Sequence, residues 1–179
     1  MEYKELIKNW HSKAPVADYF SKFISEYLAF IAYLKTQMYE SADKDREAIQ
    51  KLKQDIKLKD KYLAKIKNDN QVKQNWRHII DTLNGSRLRN VARDPYSPDE
   101  IKWWNCSHLQ LNKRTEKEKN KPKGIIHSLE DWENMVEFWH SIRNNLFHGA
   151  KNPKRERDQF GVEYGYKTLR EFMEIVLNE

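Results

Sequence analysis

Between Val16 and Met38 the apolar residues return every three or four positions, through Phe20, Phe23, Ile24, Tyr27, Leu28, Ile31 and Leu34. That recurrence is the period of an α-helix, so residues 16 to 39 are predicted as one long helix. Ala29, Phe30 and Ala32 spread its apolar surface past a single face. A helix this apolar must be covered on more than one side, which makes it central to a bundle or a party to two interfaces at once.

The rest of the chain supplies the covering helices. Tyr3, Leu6, Ile7 and Trp10 make a short leading amphipathic helix, and Pro15 restarts the chain after it. Ser41 is placed to cap the next helix, with Asp43, Asp45 and Glu47 at its electropositive end. Ile49, Leu52, Ile56, Leu63 and Ile66 continue it as a narrower stripe, and seven lysines between 51 and 67 cover the remainder. Those lysines read as a solvated face, with a phosphate-tracking surface as the sharper alternative. Asn68-Asp69-Asn70 marks a break. Val72, Trp76, Ile79, Ile80 and Leu83 form a shorter helix closed near Asn84-Gly85.

Residues 86 to 127 lose this periodicity. Pro95, Pro98 and Pro122 interrupt them, and Lys113 to Lys123 is mostly charge, which marks an insertion between core helices. Trp103 and Trp104 predict a short helix near 98 to 104 that docks on the body. Tyr164, Tyr166, Leu169, Phe172, Met173, Ile175, Val176 and Leu177 supply the final helix. The expected architecture is all-α: an up-and-down bundle of four main helices, one shorter helix and a short N-terminal helix. It forms a single domain over 1–179 with the irregular insertion at about 86–127.

Composition agrees with helices, since six Trp and nine Tyr accompany only five Gly and five Pro. The single Cys106 excludes an internal disulfide. The absence of an apolar leader or span predicts a cytoplasmic protein without membrane attachment. A net charge of +6 permits nucleic-acid contact without demanding it. There is no Gly-rich phosphate loop, paired-cysteine zinc spacing or nucleophile elbow. Cys106 and His108 alone are a poor start on a metal site, so neither a metal nor a cofactor is expected. His11, His78, His127 and His140 lack partners at diagnostic spacing and read as surface or capping residues.

The helix before the basic loop Lys151 to Arg157 carries the candidate chemistry. Ser128 caps it, Glu130 and Asp131 favour its first turn, and Leu129, Trp132, Met135, Val136, Trp139, Ile142 and Leu146 form its apolar face. Gly149 suits a helix end, so helix is expected at about 129 to 148. At about 100° per residue, Arg143 falls inside the apolar arc, whereas Asn144 and His148 lie on the polar side. A guanidinium there needs an acid, a route to water or an interface. Asp18, Glu26, Asp45 and Glu47 are the candidate acids. Arg143 and His148 point roughly 140° apart, so they converge only if the helix end distorts or a second subunit brings its own copy.

Arg143-Asn144-Asn145-Leu146-Phe147-His148-Gly149 resembles the Arg-polar-x3-His signature of the HEPN superfamily, on seven residues placed between two helices near the C-terminus. The resemblance implies a helical bundle that dimerises so that two signatures face one cleft, and a metal-independent endoribonuclease acting as a toxin or in antiviral defence. On that reading Arg143 grips the phosphate, His148 exchanges protons near its ordinary value of about 6.5, and Asn144 orients one or the other. His140, Lys151, Lys154 and Arg155 flank the motif as candidate RNA-binding residues. The alternative is a non-catalytic HEPN module that binds or dimerises within a toxin–antitoxin or defence complex; a general basic RNA-binding bundle is a third class. In some such pairs a Tyr two residues after the His is adenylylated by the antitoxin; that position here is Ala150, a departure from the pattern.

Overall fold

The computed structural model describes residues 3–14, 18–85, 88, 125–147 and 155–178. Among them there are seven α-helices and no strand. These are α1 (Tyr3–Lys13), α2 (Tyr19–Tyr33), α3 (Asp45–Gln54), α4 (Ile56–Asn68), α5 (Asn70–Gly85), α6 (Trp132–Phe147) and α7 (Glu156–Leu177). The predicted short helix near 98 to 104 and the basic run 113 to 123 lie outside the described residues. No described helix is long and apolar enough to cross a membrane.

Four boundaries differ from those expected. The long helix begins at Tyr19, where Asp18 accepts from the N–H groups of Phe20 and Ser21, and its last turn, Leu34–Met38, is π-helical. The N–H of Tyr39 reaches the carbonyl of Leu34 at 2.7 Å to close that wider turn. The stripe through Ile49 and Ile66 is two helices rather than one. Asp55 leaves the helical conformation (φ −76°, ψ 100°) and its carboxylate caps α4 through the N–H of Leu58 at 2.9 Å. Ser41 does not cap α3; it accepts from Lys51 Nζ at 2.6 Å, and Lys44 occupies the cap position. Ser128 closes a turn ahead of α6 instead, with its Oγ accepting from the N–H of Glu130 at 3.2 Å.

α7, expected only to close the bundle, packs on α2, α4, α5 and α6. It has a face smooth enough to do so. A Cβ on Gly161 would stand 2.9 Å from Ile142 Cδ1 of α6, and one on Gly165 would stand 3.0 Å from the ring of Phe23 on α2. The core between these helices is aromatic: Tyr62, Trp76, Trp132, Trp139 and Phe172 are fully enclosed with ring centroids 5.6–6.4 Å apart in tilted and edge-on pairs. Their polar atoms are satisfied internally. Tyr62 donates to the Thr168 carbonyl at 2.7 Å and accepts from Trp76 Nε1 at 3.0 Å, Trp139 Nε1 donates to Thr168 Oγ1 at 3.0 Å, and Trp132 Nε1 donates to the Leu52 carbonyl at 3.1 Å.

Two histidines expected at the surface are structural. His11 ties α1 to the body: Nδ1 meets Glu26 of α2 at 2.6 Å and Nε2 meets Glu174 of α7 at 3.2 Å, while Arg170 reaches both carboxylates. Neutral imidazole has one N–H, so serving both acids calls for imidazolium. The hydrogen bond to Glu26 accordingly raises the His11 pKa against the opposing effect of burial. His140 is the second; it is buried on α6.

Candidate active site

α6 is buried over most of its circumference, yet it carries Glu137, His140 and Arg143, which meet partners on α2 and α3. Polar residues recur through its apolar pattern at 133 to 134, 137, 140 to 141 and 143 to 145, and Asn134, Glu137, His140, Ser141 and Asn145 are buried. Each polar group must then find its partner inside the protein.

Glu137 has no solvent exposure. Arg46 of α3 donates to Oε1 at 2.5 Å, and Lys53 of the same helix, itself enclosed, binds Oε2. Burial works against the carboxylate's charge, but the two cations outweigh it and hold its pKa below the ordinary value. Burial pulls Lys53 below the ordinary lysine value while Glu137 opposes that shift. One turn on, Tyr27 of α2 and His140 Nδ1 form a 2.8 Å hydrogen bond. Burial pushes the phenol's pKa up and the imidazole's down to about 3, with Arg46, Arg143 and Lys53 adding to the latter. The enclosed pair is therefore held in its uncharged forms, phenol and neutral imidazole. Sequence reading put His140 on the rim of a cleft; at 5% exposure it stands behind the site.

Arg143 is half-buried at the last turn of α6. Its Nη2 meets Asp45 Oδ2 of α3 at 3.3 Å, and its Nη1 donates to Asn144 Oδ1 at 3.0 Å. The guanidinium carbon lies 4.6 Å from the ring centroid of Phe147 and 5.9 Å from that of Tyr27. Of the four candidate acids, Asp45 is the partner. The others are engaged elsewhere: Asp18 caps α2, Glu26 holds His11, and Glu47 pairs with Lys51. A fork fixed by an acid, an amide and an aromatic face is aligned before any ligand arrives.

Two of the three residues expected to carry the chemistry, Arg143 and Asn144, are thus in contact. His148, and with it Lys151 and Lys154, lies outside the described residues. Arg155 stands exposed at the first position before α7, where its carbonyl accepts from Asp158 and Gln159 at 3.0 Å. Sequence reading passed over Tyr27, Lys35, Arg46, Lys53 and Glu137. Glu137 left one signal, an acid amid Met135, Val136, Phe138 and Trp139, which demands an internal cation. Among the described residues no three His, Cys, Asp or Glu side chains group as metal ligands. Comparisons of the chain with family models, with curated proteins and with solved structures each gave no match.

Proposed function

We propose that the chain is a metal-independent endoribonuclease of HEPN type, an up-and-down bundle that pairs as a homodimer and cleaves single-stranded RNA as a toxin or defence protein. The observation that supports this most is Arg143: a half-exposed guanidinium, aligned by Asp45, Asn144 and Phe147, at the helix end immediately preceding His148 in the sequence. The 2′-oxygen of the RNA attacks the neighbouring phosphorus and the P–O5′ bond breaks. A base takes the 2′-hydroxyl proton and an acid protonates the departing 5′-oxygen. His148, from one or both protomers, supplies the proton exchange, and Arg143 stabilises the charge on the crowded phosphate. The products are a 2′,3′-cyclic phosphate and a 5′-hydroxyl.

The test is cleavage of a single-stranded RNA in EDTA by the wild type, Arg143→Ala and His148→Ala, with folding checked by circular dichroism. Loss of activity by about 10²- to 10⁴-fold in both folded variants is expected. Equal cleavage by all three would remove the reading. Phe147, 58% exposed beside the guanidinium, favours a second reading: a binding or dimerisation module whose partner covers this face. A stable complex with a partner protein and no cleavage under any condition would support it instead.

A further inference from the structure

The carboxylate of Asp45 is shared. Oδ2 faces Arg143 at 3.3 Å and Oδ1 faces Lys35 Nζ at 3.6 Å, so two cations from different helices approach one anion, each on its own oxygen. Lys35 belongs to the π-helical turn Leu34–Met38, and its ammonium also donates to the Asp43 carbonyl at 2.8 Å. Such a turn rotates the following side chains off the register of the helix that leads into it, and interruptions of this kind recur at functional sites. Here the result is that Lys35 reaches toward α3 and the end of α6. All three charged groups are about one-third exposed, so the Asp45 carboxylate is within reach of water and able to leave. The nearby acids do not replace it: Glu47 pairs with Lys51 and accepts from the Asp43 N–H.

We infer that Lys35 and Arg143 form a two-cation clamp for one phosphodiester of single-stranded RNA, and that the Asp45 carboxylate fills this clamp when no RNA is bound. The inference rests on the ribonuclease reading for its ligand. A phosphodiester offers two non-bridging oxygens, which the ammonium and the guanidinium take as they now take Oδ1 and Oδ2. Arg143 contributes a planar fork and Lys35 a mobile point charge. Asp45 keeps both side chains extended toward one place, and RNA displaces it.

Binding is read without cleavage by using a fluorescent 2′-O-methyl oligoribonucleotide, which lacks the attacking hydroxyl, titrated by anisotropy at several salt concentrations. Lys35→Gln weakens binding on the order of tenfold at low salt and lowers the steepness of log K against log salt by about 0.7, the signature of one lost phosphate contact on a single strand. Lys35→Arg restores both. Asp45→Asn removes the internal competitor and tightens binding. Lys8→Gln, at an exposed lysine on α1, changes neither the affinity nor the slope. On cleavable RNA, Lys35→Gln raises KM with kcat largely retained. If the wild type binds and cleaves but Lys35→Gln keeps the wild-type slope, or Asp45→Asn weakens binding, the clamp is refuted and the ribonuclease reading stands. A wild type that neither binds nor cleaves refutes both.

Discussion

Replacing Glu137 by leucine removes the carboxylate that Lys53 and Arg46 share while roughly preserving volume. The two cations differ in what they can do next. The side chain of Arg46 is 23% exposed and can turn to water, but that of Lys53 is 1% exposed and cannot. An enclosed ammonium with no anion sheds its proton. At pH 7, against an ordinary value of about 10.4, that costs roughly 4–5 kcal/mol at 1.36 kcal/mol per unit. The figure agrees with the roughly 3–5 kcal/mol known for breaking a buried pair by removing one partner. The sign with pH follows. With its folded-state pKa depressed, Lys53 in the variant binds fewer protons than the unfolded chain does, so stability climbs as pH rises toward the unfolded value. The deficit relative to wild type narrows from roughly 4–5 kcal/mol at pH 7 to about 1 kcal/mol at pH 9.5.

Urea unfolding followed by tryptophan fluorescence at the two pH values measures this, since Trp132 and Trp139 lie on the same helix as Glu137. A deficit of that size is comparable with the whole stability of a small domain. The double variant Glu137→Leu/Lys53→Met is therefore needed beside it. With both charges gone and the volume kept, it is expected within about 1–2 kcal/mol of wild type. A single variant that loses under about 1 kcal/mol, or a deficit that is the same at both pH values, would refute the argument, because it would mean that Lys53 reaches water.

Four further outcomes are expected. The His140 ring stays neutral on acidification until pH approaches 3. Because the unfolded ring takes its proton near 6.5, stability falls below that pH by up to about 1.4 kcal/mol per unit; an NMR titration of the ring with a midpoint near 6.5 would show it facing water. His11 has the opposite sign: its folded pKa is raised, so its contribution is complete below the unfolded value of 6.5 and is lost as pH rises through the folded value. The stability difference between wild type and His11→Gln should shrink over that rise. Gly165→Ala drives a methyl into the ring of enclosed Phe23, so strain of about 1–3 kcal/mol outweighs a helix-propensity gain of about 1 kcal/mol. Gly161→Ala meets only the end of Ile142, which can rotate, and should be close to neutral by thermal unfolding.

The helices were legible because burial imposes a period on the apolar residues, and Phe23, Trp76, Trp139 and Phe172 are all core residues at helical spacing, although the enclosed Tyr62 was passed over. Their ends were less so. Asp55 ends one helix and starts another, and the restart changes which side chains face inward: Leu58, Tyr62 and Ile66 are buried on α4, whereas Ile56, expected in the apolar stripe, is 72% exposed and Leu63 only half-buried. The π turn at Leu34 leaves no mark in composition at all. At the site, the demand that Arg143 find an acid was readable from its place in the apolar arc, and Asp45 was among the acids the helix positions allowed. Lys53 was not readable, because it is one of seven lysines between 51 and 67 and only the approach of α3 to α6 selects it.

That approach also explains how Arg143 comes to be held. α3 contributes Asp45, Arg46 and Lys53, and α6 contributes Arg143 and Glu137, so the two helices meet through three ion pairs of opposite polarity along their length. An apolar interface tolerates sliding by a fraction of a turn, because burial has no direction. An enclosed ion pair does not: moving Glu137 away from Lys53 leaves both charges unpaired in a dry interior. The inner pairs therefore fix the register of α3 against α6, and the outer, half-exposed pair between Asp45 and Arg143 inherits it. On the other side of α6, Gly161 and Gly165 let α7 close on Ile142, one residue before Arg143. The guanidinium is thus positioned by groups that never touch its ligand. Substitutions at Lys53 that leave the protein folded should disturb Arg143 before they disturb the aromatic core.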